Sequence, residues 1–170
     1  MKSSIVVHRM SSPLGNMLLA AAGGALCGIY FAGQKHLPED VPMWREDDRL
    51  PVFAAARTQL AEYFAGTRTH FALPLEPSGT AFQRAVWNAI AAVPFGATIT
   101  YAELAAQAGH PGSARAAGAA TGRNPLSIVV PCHRIVGTDG SLTGYAGGIE
   151  RKRALLALER AAPAIARRAA

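Results

Sequence analysis

Residues 101–121, YAELAAQAGHPGSARAAGAAT, carry two short helical patterns on either side of a turn. Tyr101 to Ala108 reads as one helix, His110-Pro111-Gly112 as the turn, and Ser113 as the cap of a second helix reaching about Thr121. This is the outline of a helix-turn-helix, which commonly lays its second helix in a DNA groove, although any pair of short helices produces the same outline. Arg115 apart, Ala114 to Ala120 carry almost no side-chain bulk. A helix with side chains is about 10–12 Å across and the minor groove about 6 Å wide, so small residues suit close approach to DNA. They suit close packing against another helix equally well.

Working outward, Ser78 or Thr80 caps a helix through Phe82, Val86, Trp87 and Ile90 that ends before Pro94-Phe95-Gly96. Ile149 to Ala161 is the last long helix, with Leu155, Leu156 and Leu158 as apolar contacts. The first half reads as β then α. Ile5 to Met10, Gly15 to Ala22 and Ala25 to Phe31 form a three-stranded meander with turns at Ser12-Pro13 and Gly23-Gly24. His36 to Asp48 is a loop, and Leu50 to Phe64 is a helix over one sheet face, with Phe53, Ala56, Leu60 and Phe64 in helical spacing. Thr69 to Leu75 is a further candidate strand, and Pro74, Pro77 and Gly79 mark a joint. The expected fold is α+β in two domains: a small N-terminal sheet-plus-helix domain, residues 1–77, and a mostly helical C-terminal domain with the helix-turn-helix, residues 78–170.

Of the 170 residues half are hydrophobic, enough for a substantial core and unlike a disordered tail or a coiled coil. The net charge is +6, which makes an acidic partner such as nucleic acid worth testing. Residues 1–77 hold seven basic and seven acidic residues, so the whole excess lies after Pro77. Three apolar residues before His8 and Arg9 are too few for a signal-peptide core. Met17 to Phe31 is uncharged but broken by Gly23, Gly24 and Gly28, and falls short of the roughly 20 residues of a spanning helix. A cytoplasmic protein with no membrane partner is expected.

Two cysteines, Cys27 and Cys132, exclude a disulfide framework or a Cys-rich zinc site. Cys27 lies in an apolar strand and reads as packing; His8, His36, His70 and His110 have no metal-like spacing and read as surface or satisfied histidines. Cys132 is different. The proline-bounded apolar run Leu126 to Pro131 delivers Cys132-His133-Arg134 into a second apolar pair, Ile135-Val136, which places a thiol at the edge of a core. A free thiol, with a pKa of about 8.5, is only a few per cent thiolate at neutral pH and needs a base or a positive environment. Neighbours on a strand point to opposite faces, so a water or a turn must link Cys132 to His133. A carboxylate fixing the imidazole would complete the relay; Glu159 is preferred over Asp139 and Glu150.

Pro131-Cys132-His133-Arg134-Ile135-Val136 resembles the active-site hexapeptide of the O6-alkylguanine-DNA alkyltransferases, also called methylated-DNA–protein-cysteine methyltransferases. Asn124-Pro125, Arg115, Tyr101 in its Thr-Tyr-Ala-Glu-Leu-Ala context and Tyr145 stand at the family's spacings, so the resemblance spans Phe82 to Glu159. It implies a ribonuclease-H-like N-terminal domain. It also implies irreversible, single-turnover transfer of an alkyl group from O6-alkylguanine in duplex DNA to Cys132, with O4-alkylthymine as an open second substrate.

In that scheme His133 acts as base through a water, Glu159 orients the imidazole, Asn124 braces the site and Tyr101 donates toward the departing guanine. The target base rotates out of the stack. The second helix, through Arg115, Ala116, Ala117, Gly118, Ala119 and Thr121, enters the minor groove, with Arg115 as the intercalating finger. Arg134, Tyr145, Ala146 and Gly147 line the substrate pocket; the family often has serine where Ala146 stands. No cofactor and no metal are implied, and double-stranded DNA is the partner of a monomer, with cooperative assembly on DNA open. A lesion sensor without chemistry would lack the nucleophile, and a Cys-His hydrolase would turn over.

Overall fold

The computed structural model describes residues 4–162. Lys2, Arg167 and Arg168, which count in the charge reading, lie outside the described residues, as do the first residues of the signal-peptide reading.

Three antiparallel strands, β1 (Val6–Ser12), β2 (Gly15–Ala22) and β3 (Ala25–Phe31), form the expected meander. The β2–β3 turn needs left-handed backbone at both central positions, and glycine supplies it at Gly23 (φ 59°) and Gly24 (φ 88°). Alternation assigns the faces: Met17, Leu19 and Ala21 join the main core, while Leu18 and Ala20 join Val7 and Tyr30 in a smaller cluster on the other side. The loop after β3 covers this second face with Leu37, Val41 and Trp44. Within it, a two-residue strand that the loop reading did not contain, β4 (Arg45–Glu46), pairs parallel with β1.

Helix α1 (Pro51–Phe64) covers the core face as expected, but near its C-terminal end the fully buried aromatic is Tyr63 rather than Phe64, which is partly buried. The segment Thr69 to Leu75 is not a strand. It makes one isolated parallel bridge, Leu26 with Leu75. Pro74 offers only its carbonyl, to Leu26 N, and the Ala72 backbone is taken by the Gln59 side chain, so no ladder extends.

In the second half, α2 (Ala81–Ala91) and α3 (Tyr101–Gln107) each begin with a complete capping box, Thr80 with Gln83 and Thr100 with Glu103. Helix α4 (Ala114–Gly122) follows the turn; Ser113 stands at its N-cap position but its side chain makes no capping bond. Trp87 Nε1 donates to Ala120 O at 2.9 Å and pins α4 against α2. A parallel pair not anticipated from the sequence, β5 (Ile99–Thr100) with β6 (Ile135–Val136), ties α3 to the segment after Cys132, and α5 (Ile149–Ala161) closes the chain.

The N-terminal sheet and C-terminal helices share one apolar core, from Met17 and Phe53 through Trp87 and Leu104 to Leu155. The free edge of β3 is used by the other half: Ile29 N donates to Pro125 O at 2.8 Å and Ser127 N to Ile29 O at 3.0 Å. Among the described residues no helix is long and apolar enough to cross a membrane.

Candidate active site

The segment carrying the thiol is fixed before Cys132 is reached. Asn124 Nδ2 donates to Val130 O at 2.8 Å, and Asn124 Oδ1 accepts from Leu126 N at 3.0 Å, so one buried amide clamps both ends of the loop. Between them Ile128 sits at φ 72°, a conformation that costs a β-branched residue of order 1–3 kcal/mol and persists only where the surroundings impose it. Cys132–Arg134 is a single turn of 3-10 helix, not part of a strand. With three residues per turn, successive side chains diverge by about 120°, so Cys132, His133 and Arg134 point three ways.

Cys132 faces a cleft, His133 turns into the interior, and Arg134 runs behind the site. His133 Nε2 lies 2.7 Å from Glu159 Oε1. Its Nδ1 is buried with no hydrogen-bond partner. Glu159 also accepts from Arg134 Nε and Nη2, from Tyr63 Oη at 2.8 Å and from Gly96 N at 3.3 Å. Burial alone would raise the Glu159 carboxyl, but the hydrogen bonds from His133 and Arg134 outweigh it and hold it at about 2. Burial lowers the His133 imidazole from its ordinary value against the pull of Glu159, which favours the neutral ring. Burial raises the Cys132 thiol, while the Asn124 amide and the Lys152 ammonium act in the opposite direction. Burial thus favours the protonated thiol.

The cleft, of about 290 Å³, has Cys132 at its base. Tyr101 with Gly118, Thr121 and Gly122 form one wall, and Thr143 to Ala146 the other. Tyr101 Oη donates to Thr143 O at 3.1 Å across it. Gly118 faces the Tyr101 ring, 3.6 Å from where a Cβ would stand.

Of the residues expected to meet DNA, Arg115, Ala116 and Ala119 lie exposed along one side of α4 and Gly118 is half-buried beside the cleft. Ala117 is not on that surface; it is fully buried in the core. Thr121 is also buried, its hydroxyl bonded back to Ala117 O at 2.7 Å, and it belongs to the cleft wall. Arg134, expected in the pocket, is committed to Glu159 and Val93 O with its guanidinium over the Phe95 ring, because the 3-10 turn rotates it away. Gly147 lies behind the wall, where a Cβ would stand 2.8 Å from the Tyr145 ring and 3.0 Å from Phe31. Among the described residues no group of three or more His, Cys, Asp or Glu could hold a metal.

A family model for the DNA binding domain of 6-O-methylguanine DNA methyltransferase matches residues 81–161, and one for its ribonuclease-like domain matches residues 5–77. A methylated-DNA–protein-cysteine methyltransferase of Mycolicibacterium paratuberculosis is 47% identical over 156 residues, 92% of this chain and 93% of that one. The chain belongs to the methylated-DNA–protein-cysteine methyltransferase family. The Haemophilus influenzae member is 44% identical over 150 residues, 88% of this chain and 83% of its own. Crystal structures from Mycobacterium tuberculosis are similar throughout. The O6-methylguanine methyltransferase has a TM-score of 0.86 at 45% identity, covering 94% and 96% of the two chains. A form described as OGT in complex with DNA has a TM-score of 0.84 at the same identity and coverage.

For this methyltransferase, four residues of the site are not foreseen from the sequence. Lys152 is fully buried, its Nζ donating to Ile135 O at 2.6 Å, Thr143 O at 3.1 Å and Gly144 O at 3.2 Å, which ties the cleft wall to β6. Burial lowers its ammonium to about 8 against the pull of the nearby Cys132. A signal existed: Lys152, Leu155, Leu156 and Glu159 share one helical face, and a lysine in an apolar stripe must find acceptors. Tyr63 and the pair Lys35 and His36 come from the first half, and no local pattern announces them. The other histidines are accounted for: His8 lies against Phe53 at 5.7 Å, His70 beside Thr69 Oγ1, and His110 edge-on to Phe82 at 4.9 Å. Cys27 is half-buried, its thiol raised by burial.

Proposed function

We propose that this methyltransferase repairs duplex DNA by moving the alkyl group of O6-alkylguanine onto Cys132 Sγ, once per molecule. The observation that carries this reading is the divergence of two neighbours: Cys132 faces the cleft while His133 binds Glu159 through Nε2 and keeps Nδ1 unpartnered. In a neutral imidazole one nitrogen donates and the other accepts. With Nε2–H donating to the carboxylate, the Nδ1 lone pair is the base.

A bridging water carries the Cys132 proton to Nδ1. The thiolate attacks the alkyl carbon, an S–C bond forms, and the electrons of the breaking C–O bond stay with the guanine. Tyr101 Oη, bonded to Thr143 O at rest, redirects toward the guanine ring as charge develops there. The thioether does not readily hydrolyse and the nucleophile is consumed, so the reaction is stoichiometric and needs no cofactor.

The target atom is out of reach inside the stack, and the nucleotide rotates into the cleft at a cost of a few kcal/mol. Helix α4 enters the minor groove with Arg115, Ala116, Gly118 and Ala119, and Arg115 takes the place of the extruded base. Tyr145 and Ala146 wall the pocket. We assign the chemistry and the minor-groove contact to residues 78–170 and a sheet domain to residues 1–77, in a cytoplasmic protein that acts as a monomer. O4-alkylthymine is the second substrate to test.

Intact mass after incubation with O6-methylguanine duplex checks the reading. One added methyl per protein, on the Cys132 peptide and absent from Cys132→Ala, is expected. Sustained turnover, or methyl on another residue, sinks it.

A further inference from the structure

We infer that Lys35 and His36 form a phosphate-binding rim, supplied by the N-terminal half, that grips the backbone of the nucleotide entering the Cys132 cleft. The inference rests on the repair reading above. Both residues are exposed and line the cleft. Among the residues that line it they are the only ones with cationic or imidazole side chains, and among the described residues neither side chain has a hydrogen bond or ion pair.

Their placement is built by the fold. The Gln34 side chain is buried, accepts from Phe31 N at 2.8 Å and donates to Lys35 O at 3.3 Å, which closes the turn after β3. Lys35 N then donates to Ala146 O at 2.9 Å, fastening the turn to the cleft wall. The next residue, His36, takes left-handed backbone at φ 61°, where histidine is enriched among the non-glycine residues. A buried amide, a cross-domain hydrogen bond and left-handed backbone thus aim a free ammonium and an imidazole at the mouth of the cleft.

The ligand chemistry follows from charge. An O6-alkylguanine base is neutral and gives an unpaired ammonium nothing to neutralise. The nucleotide carrying it brings phosphates to the rim, and a lysine held beside one forms a charge-assisted contact. Lys152, the other lysine at the site, is buried and fully committed to three carbonyls. Lys35 remains for the backbone.

The test measures equilibrium binding of Cys132→Ala and of Cys132→Ala/Lys35→Ala to an O6-methylguanine duplex and to its unmodified counterpart, over a series of KCl concentrations. Neutralising one phosphate contributes about 0.9 to the slope of log affinity against log salt. Lys35→Ala is expected to reduce the slope by about that amount on the lesion duplex, with Lys35→Arg restoring it and the unmodified duplex unaffected. An unchanged slope overturns the inference, and so does an equal change on both duplexes, which would make Lys35 a general DNA contact. Methyl transfer to Cys132 by the wild-type protein, read by mass, tests the repair reading separately.

Discussion

Tyr63 Oη donates a hydrogen bond to Glu159 Oε1 at 2.8 Å, joining side chains 96 residues apart in one buried contact. The same oxygen lies 2.7 Å from His133 Nε2, so a group from the sheet half shares the carboxylate that orients the proposed base. Tyr63→Phe is expected to lower stability by about 1.5–3 kcal/mol, the range for a hydrogen bond to a charged group. Transfer should persist, because His133 and Arg134 still hold Glu159. Denaturant unfolding and a single-turnover rate on the same variant check both halves of this expectation.

His133→Ala removes the proposed base but leaves Cys132 and the cleft in place. General base catalysis contributes roughly 10²–10⁴-fold, so the single-turnover rate should fall by that factor while duplex binding holds. A rate within a few-fold of the parent would remove His133 from the chemistry.

Acid stability should follow Glu159. Its folded pKa, about 2, lies below the ordinary unfolded value of about 4.3, so its contribution is present above the unfolded value and lost as pH falls through the folded one. The shift corresponds to about 3 kcal/mol. Urea midpoints taken between pH 6 and pH 2 should fall, and Glu159→Gln should remove that dependence while lowering stability throughout, since it leaves Arg134 buried without its counter-ion.

Lys152 predicts the opposite limb. Its folded pKa of about 8 lies below its unfolded value, so the unfolded chain holds the proton more tightly and stability rises as pH increases above 8. Lys152→Met is expected to flatten that rise in the same urea series.

Arg115→Ala should slow methyl transfer from duplex DNA far more than from free O6-methylguanine base, since only the duplex needs a finger. Equal losses on both substrates would contradict that role.

Much of this architecture is legible in one sequence, for physical reasons that differ by element. Thr80 with Gln83 and Thr100 with Glu103 are local capping chemistry, and the structure starts α2 and α3 there. The strands β4, β5 and β6 have two residues each, too short for any alternation to register. Tyr63 and Phe64 are both near the α1 apolar stripe, and what selects Tyr63 is Glu159, on a helix that the sequence places far away. Arg134 is not legible because its setting between apolar runs suggests a strand, whereas one 3-10 turn redirects it toward Glu159. Ala117 and Thr121 lie on a helix whose residues are nearly all small, so size alone does not tell its exposed side from its buried one.

The bonds from Ile29 to Pro125 and Ser127 have a practical bearing on protein engineering. They set the register of the loop before Cys132 from a strand in the opposite half, so the halves of two relatives are not interchangeable parts. A chimera joined near residue 77 inherits its thiol from one parent and the template that shapes the thiol's loop from the other. Compatibility at Ile29, more than overall identity, should decide which hybrids work.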